Sequence, residues 1–346
     1  MKLLNLSKTE SEELAVALGE AKFRGSQLYS GLQSGKSIEN INISKSFKEK
    51  LEENGYTAGS AEIYEKFVSK IDGTVKYLYK LEDGNIIEGV LMHYKYGNTL
   101  CVSTQVGCRM GCAFCASTLG GLVRSLDAGE ILGQVISANR DNAADGRRGV
   151  TNIVLMGSGE PLDNYDNVLK FLRLVSSPDG LNISQRNISV STCGLAPNID
   201  RLAKENLGIT LSLSLHAPTD ELRQKLMPVS KAYTVKETVD AMRRYVASTG
   251  RRVVFEYALI DNFNDTFYCA DKLVSLVHSL QCHVNLIPLN RVSETGLNGS
   301  TPARVQAFLS RLEKSGVSAT VRREMGADIS GACGQLRRSF LNKEDL

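Results

Sequence analysis

No tryptophan occurs among the 346 residues, and no apolar run comes near the about 18 residues that a membrane-spanning helix requires. The N-terminal segment MKLLNLSKTESEEL also lacks the apolar stretch of a secretion signal, so the expectation is a cytoplasmic protein with no membrane partner. Excess charge is missing as well: 41 Lys and Arg oppose 38 Asp and Glu, a net +3 that excludes a strongly acidic chain and leaves no basic footprint of the kind nucleic-acid binders often carry. With 42% apolar side chains the chain is neither disordered nor collagen-like. Eight cysteines are too few for a disulfide scaffold, and in a reducing compartment clustered thiols point to metal or redox chemistry. Their placement matters more than their number.

Hydrophobic period divides the chain. Residues 1–60 show helical spacing, with Leu14, Val16, Ala17 and Leu18 as one apolar run and Phe23, Gln27, Leu28 and Leu32 following a KFRG turn. They read as a helical accessory domain. Residues 61–98 change to period two, with Asp72-Gly73 and Asp83-Gly84 as hairpin turns, and form a β meander. On its third strand Ile86, Glu88, Val90 and Met92 share one face, which makes Glu88 a carboxylate in an apolar row. From residue 99 strand, loop and helix alternate six times, beginning with TLCVSTQV and DAGEILGQVISANR and ending with CHVNLIPLN and PARVQAFLSRLEKSG. Six such units imply parallel strands with right-handed helical crossovers. A complete eight-unit barrel would need two more, so the expected α/β architecture is a partial, open (βα)6 TIM-like barrel over residues 99–320, with its chemistry at the C-terminal ends of the strands. A closing strand near SATVRRE leads into a C-terminal extension, residues 321–346. A doubly wound open sheet is the alternative, but no G-x-G-x-x-G follows the first strand.

Cys108, Cys112 and Cys115 form C-x3-C-x2-C in the loop after the first barrel strand. Chance would produce that spacing on the order of 0.004 times in such a chain. Structural zinc needs four closed ligands and usually shows paired C-x2-C motifs, and no second pair exists here. Three thiolates on an iron-sulfur cubane leave one iron open, a ready site for a chelating small molecule. Gly157-Ser158-Gly159-Glu160-Pro161 follows the second barrel strand, where small residues permit close backbone approach and a carboxylate can receive an ammonium group. Ser191, Ser214, Leu215, His216 and Asn290 end later strands. Taken singly, a polar residue at a strand end is more often a local cap, and GSGEP an ordinary βα turn.

The triplet at the mouth of such a barrel resembles the radical S-adenosylmethionine (SAM) superfamily, whose last cysteine often follows an aromatic residue, here Phe114. The motifs QVGCRMGCAFC, LMGSGEPLDN, LSLHAP, NLIPLN and ACGQL, in that order across nearly the whole chain, resemble more specifically the bacterial methyltransferases that modify C2 of adenine in 23S rRNA and in tRNA. The resemblance implies one [4Fe-4S] cluster on Cys108, Cys112 and Cys115, and SAM held by Gly159, Glu160, Ser191, Ser214, Leu215, His216 and Asn290. It also implies a flavodoxin- or ferredoxin-type electron donor and a monomer. Adenine C2 is too electron-poor to attack a sulfonium methyl, so two SAM molecules are used in turn. The first methylates Cys333, because a thiolate is a competent nucleophile. The second yields a 5′-deoxyadenosyl radical that takes hydrogen from the S-methyl group, and the methylene radical adds to C2. Glu88 is then the base that removes the C2 proton, and Cys101 attacks the sulfur of Cys333 to release the RNA as a transient Cys101-Cys333 disulfide, which external thiols reset.

Outside the resemblance, a cysteine on a strand is commonly a buried apolar group, and Glu88 is as well explained by a structural ion pair. Cys193, Cys269 and Cys282 match no role and read as packing residues. RNA contacts are sought at five arginine pairs, Arg147-Arg148, Arg243-Arg244, Arg251-Arg252, Arg322-Arg323 and Arg337-Arg338, although solvated faces explain such pairs too. The segment FRGSQLYSGL, residues 23–32, resembles an accessory-domain motif that commonly carries a tryptophan absent here. Two other readings stay open: the sister family that methylates C8 of the rRNA adenine, which carries a cysteine where Val106 stands, and a zinc-stabilised RNA-binding module.

Overall fold

The computed structural model describes residues 1–144, 147–290 and 295–336, and the backbone of 339–340. Helices α1 (Lys8–Ala17), α2 (Lys22–Gln33) and α3 (Lys45–Glu53) come first. Ser7 and Glu10 close a reciprocal capping box on α1, which fixes its start. The KFRG segment is the first turn of α2 rather than a turn before it. Gly25 makes this possible, because a Cβ there would fall into the Ser11 carbonyl and the backbone of Glu12, so its absence lets α1 and α2 touch. The inward face is set by Ser11, Ala15, Leu28 and Leu32, while Val16 and Phe23, read as part of the apolar pattern, lie exposed.

The meander forms as expected: β1 (Glu62–Val68), β2 (Val75–Lys80) and β3 (Asn85–Tyr94), antiparallel, joined through Asp72-Gly73 and Asp83-Gly84. β4 (Gly97–Cys101) returns antiparallel to β3 with Val90 opposite Cys101. The sequence suggests one strand over 99–106, but β4 stops at Cys101. Gln134 is the reason. Its side chain accepts from the Ser103 N–H and donates to the Ser103 carbonyl, both at 2.9 Å, replacing ladder partners and turning the chain out of the sheet. Residues 105–125 then make a separate hairpin, β5 (Gln105–Gly107) with β6 (Leu122–Ser125), and all three clustered cysteines lie between its strands.

The barrel continues through α4 (Ala128–Asn142), β7 (Asn152–Leu155), α5 (Tyr165–Val175), β8 (Ile188–Thr192), α6 (Ala196–Ala203), β9 (Thr210–Ser214), α7 (Asp220–Leu226), α8 (Val235–Thr249), β10 (Val253–Leu259), α9 (Phe267–Val277), β11 (Cys282–Pro288), α10 (Pro302–Lys314) and β12 (Ala319–Val321). From β4 to β12 the strands pair parallel in chain order. β12 has no partner beyond β11 among the described residues, so the barrel stays open. That is the partial α/β barrel expected. α7 is the element the sequence reading lacks, having treated the stretch from β9 to α8 as a connection.

The tail returns as β13 (Ser339–Phe340), antiparallel to the start of β3. One continuous apolar cluster runs from Leu3 and Leu28 through Val102 and Leu155 to Phe308 and Ala319, so the N-terminal helices share the barrel's core. No helix among the described residues is long and apolar enough to cross a membrane.

Candidate active site at the barrel mouth

The strand ends and the cysteine hairpin enclose a cavity of about 160 Å³. Cys108, Cys112 and Cys115 form one wall, Gly159 and Glu160 a second, and Ser191, Ser214 and His216 a third, with Asn290 and Cys333 across the opening. Ten of the residues singled out in the sequence therefore meet in one space. Leu215 does not: its side chain is fully buried in the core, and it serves the site through its carbonyl, which accepts from Arg223 at 3.0 Å.

The cysteine loop is held from several sides. Ala113 N–H donates to the Leu226 carbonyl at the end of α7 (2.8 Å), and Ala116 N–H to the Gly334 carbonyl in the tail (2.8 Å). Burial pushes the Cys108 thiol up to about 12 and raises Cys112 and Cys115 as well, so these sulfurs stay protonated until a metal ion displaces the proton. Structural zinc needs a fourth closed ligand, whereas a cubane takes each of three thiolates on its own iron, and Cys108, Cys112 and Cys115 all line one cavity. The donor set fits the cluster.

Gly159 has φ +107°, and a Cβ there would lie 2.6 Å from Gln105 Cβ. The close approach anticipated at this glycine is thus made to the protein's own β5. The Glu160 carboxylate accepts from Leu162 N–H (3.0 Å) and Cys193 N–H (2.7 Å), tying the turn to the end of β8. Burial raises its carboxyl, and hydrogen bonds from the Cys193 amide, the Thr192 side chain and the Leu162 amide oppose the shift. The carboxylate lines the cavity, where an ammonium group would meet it. Ser191 and Ser214 hydroxyls lie 3.2 Å apart on adjacent strand ends, a pair suited to a sugar diol. His216 sits at φ +55° with its Nδ1 accepting from Ala258 N–H at 2.9 Å, so the ring proton is on Nε2. Burial drives its pKa down to about 3, and the ring meets Phe114 edge-on at 4.7 Å between centroids. It is a neutral donor at any physiological pH.

A second cavity of about 30 Å³ adjoins the first. Val90, Met92 and Cys101 line it from the meander side and Cys333 from the tail. Cys333 thus belongs to both cavities, while Cys101 belongs to the smaller alone. Burial pushes the Cys101 thiol up to about 12. Glu88 lines neither. It is buried one step along the same β3 face from Val90, with Lys76 Nζ 3.7 Å from its carboxylate.

Glu256 and Arg223 carry no role in the sequence reading, and Cys193 and Arg322 carry a different one. Cys193, read as packing, lines the main cavity. Glu256 is buried on β10 and accepts from Asn285 Nδ2 at 2.9 Å; burial raises its carboxyl. A lone Glu in RRVVFEYALI carries the same signal that flagged Glu88. Arg322 lines both cavities, and Arg223 lies under the strand ends. Arg322-Arg323 is the arginine pair near the site. Arg147-Arg148 and Arg251-Arg252 precede β7 and β10, at the opposite end of the barrel, and Arg244 is held bidentate by Asp200 at 2.8 Å. Arg337-Arg338 lies outside the described residues.

The radical SAM superfamily profile matches residues 102–267. The chain is 50% identical over 343 residues to a probable dual-specificity RNA methyltransferase RlmN of Clostridium tetani, covering 98% of this chain and 96% of that one. It is 50% identical over 341 residues to the protein of the same name from Alkaliphilus oremlandii, with 98% of both chains covered. The crystal structure of a radical SAM methyltransferase from Sphaerobacter thermophilus superposes with a TM-score of 0.91 at 41% identity, covering 97% of this chain and 99% of that one.

Proposed function

Because the chain belongs to the RlmN family of radical SAM dual-specificity RNA methyltransferases, we propose that it methylates C2 of adenine in 23S rRNA and in tRNA, with Cys333 as methyl carrier and Cys101 as the thiol that releases the product. It is a radical SAM-dependent RNA methyltransferase that uses a [4Fe-4S] cluster and SAM. When bound, the cluster supplies the electron that cleaves SAM, and SAM supplies first a methyl group and then a 5′-deoxyadenosyl radical.

The chain's own residues do the rest. Cys108, Cys112 and Cys115 hold the cluster. Glu160 takes the ammonium end of SAM, Ser191 and Ser214 the ribose, and His216 donates from Nε2. Gly159 and Leu215 act through backbone, and Asn290 faces the cofactor while holding the tail. Glu88 removes the C2 proton from the face of β3 that leads into the smaller cavity. The observation that carries this reading is the shared position of Cys333, whose neighbours are the cluster cysteines in one cavity and Cys101 in the other. That is the geometry a thiol needs if it collects a group on one side and surrenders a bond on the other. The target base has to leave its stack to reach this depth, as base-modifying enzymes require. Residues 1–60 serve as the RNA-gripping accessory domain, residues 61–98 connect it to the barrel over 99–320, and the 321–346 extension carries the methyl. The protein works as a cytoplasmic monomer reduced by a flavodoxin- or ferredoxin-type donor.

The test is nucleoside mass spectrometry of rRNA and tRNA from cells with and without the protein, together with a Cys101→Ala variant. The expected results are 2-methyladenosine in both RNAs and, for the variant, protein crosslinked to RNA through Cys333. A product of 8-methyladenosine would overturn the C2 assignment, and normal turnover by the variant would remove Cys101 from the scheme.

A further inference from the structure

Arg223 is completely buried and heads the largest fully buried side chains among the described residues. It projects from α7 beneath the ends of β8 and β9. Its Nε donates to the Leu215 carbonyl (3.0 Å), Nη1 to Ser230 Oγ (2.6 Å), and Nη2 to the carbonyls of Cys193 (2.6 Å) and Ser214 (3.1 Å). Every one of these partners is neutral. Among the described residues no carboxylate comes within ion-pair distance; Asp220, on the same helix, accepts with Oδ1 from Val235 N–H. A guanidinium does not lose its proton in a protein, so the fold buries a cation without an anion. Isolated buried charge is strongly unfavourable, and partial compensation by carbonyl dipoles is not the same as a counter-charge.

The balancing charge has an address. Cys193, whose carbonyl takes Nη2, lines the same cavity as Cys108, Cys112 and Cys115. The helix that carries Arg223 is also bonded directly to the cysteine loop, through Leu226 and Ala113. Three thiolates on a cubane leave it net negative, and the electron that starts each radical cycle makes it one charge more negative. Arg223 does not line the cavity and has four donors already engaged, so it is not placed to grip SAM.

We infer that Arg223 is the built-in counter-charge of the iron-sulfur cluster, a positioning residue that makes the cluster easier to reduce by favouring the more negative state. This rests on the assignment of Cys108, Cys112 and Cys115 as cluster ligands. The effect is electrostatic preorganisation at a distance: the cation is fixed by backbone carbonyls and needs no rearrangement when the electron arrives from the low-potential donor.

The experiment is an EPR-monitored redox titration of anaerobically reconstituted full-length protein, with iron content and far-UV circular dichroism measured on the same samples. Arg223→Lys keeps the charge, and its midpoint is expected to stay near that of the wild type. In Arg223→Gln the reduction equilibrium is expected to fall at least tenfold, a shift of 59 mV to more negative potential for one electron. Should Arg223→Gln not fold, Ser230→Asp answers the question with the arginine in place: a carboxylate beside Nη1 neutralises the cation, and the midpoint has to move in the same negative direction. Unchanged midpoints in folded, fully loaded Arg223→Gln or Ser230→Asp protein overturn the inference while leaving the cluster assignment intact. A wild type that binds no iron-sulfur cluster overturns both.

Discussion

Asn290 donates from Nδ2 to the carbonyl of Cys333 at 3.0 Å, which ties the end of the last full barrel unit to the C-terminal tail. With Ala116 N–H on the Gly334 carbonyl and Ser117 Oγ on the Leu336 carbonyl (2.8 Å each), the tail is fastened across the mouth by short polar contacts that add to the burial of Met325 and Leu336 against Val90, Met92 and Cys101. The proposed methyl carrier lies between Met325 and Leu336 in the chain, and the polar bonds that set its exact place are individually modest.

Removing one of them is a direct probe. Asn290→Ala gives up about 1 kcal/mol of tail docking, equivalent to about a fivefold rise in the population with the tail released. Alkylation of Cys333, followed by peptide mass spectrometry, is expected to accelerate by that factor with the circular dichroism spectrum unchanged. Equal rates in the variant and the wild type would show that Asn290 does not hold the tail.

Gly159→Ala tests the turn. The substitution forces an L side chain to φ +107° and into Gln105, which costs on the order of 2–3 kcal/mol from backbone strain and collision. The melting temperature should drop and SAM binding by calorimetry should be lost. Full SAM affinity would mean that the turn has slack its geometry does not show.

His216 predicts a pH signature. Its folded pKa, about 3, lies below the usual value near 6.5, so between those limits the unfolded chain binds more protons than the folded one. Stability from this group is complete above about 6.5 and is lost as pH falls towards 3, a difference of a few kcal/mol. Urea unfolding of His216→Gln at a series of pH values should give a shallower acid limb than the wild type. Parallel limbs would remove the histidine as the cause.

Gly25→Val separates the accessory helices from each other. A side chain at this position cannot coexist with the α1 backbone, so α1 and α2 must part and expose Leu28 and Ala15. Because these residues belong to the same apolar cluster as the barrel, the expected result is a lower melting temperature for the whole protein in one transition. Two separate transitions would show that the helices fold on their own.

The barrel and its cysteine loop were legible because alternating period and a rare spacing survive without context. β4 shows the limit: TLCVSTQV has strand character throughout, and what breaks it is a glutamine 31 residues later, invisible to any local pattern. α7 escaped for a related reason. It is short, it lies where a loop is expected, and of its two buried residues, Arg223 and Leu226, the larger is an arginine, a residue rarely anticipated in a core. Glu256 is different, since its apolar strand context was available and was weighed only for Glu88. His216 was assigned from its position, but its tautomer depends on Ala258, brought close only by strand pairing.

The position of Cys333 on the wall between two cavities sets a timescale. Cys333 is half-buried there, so a change of rotamer between the side that holds Cys108, Cys112 and Cys115 and the side that holds Cys101 is slower than the picosecond-to-nanosecond flips of an exposed side chain. A group carried on this sulfur, as proposed, would pass from one cavity to the other at a pace set by the packing of the wall around it.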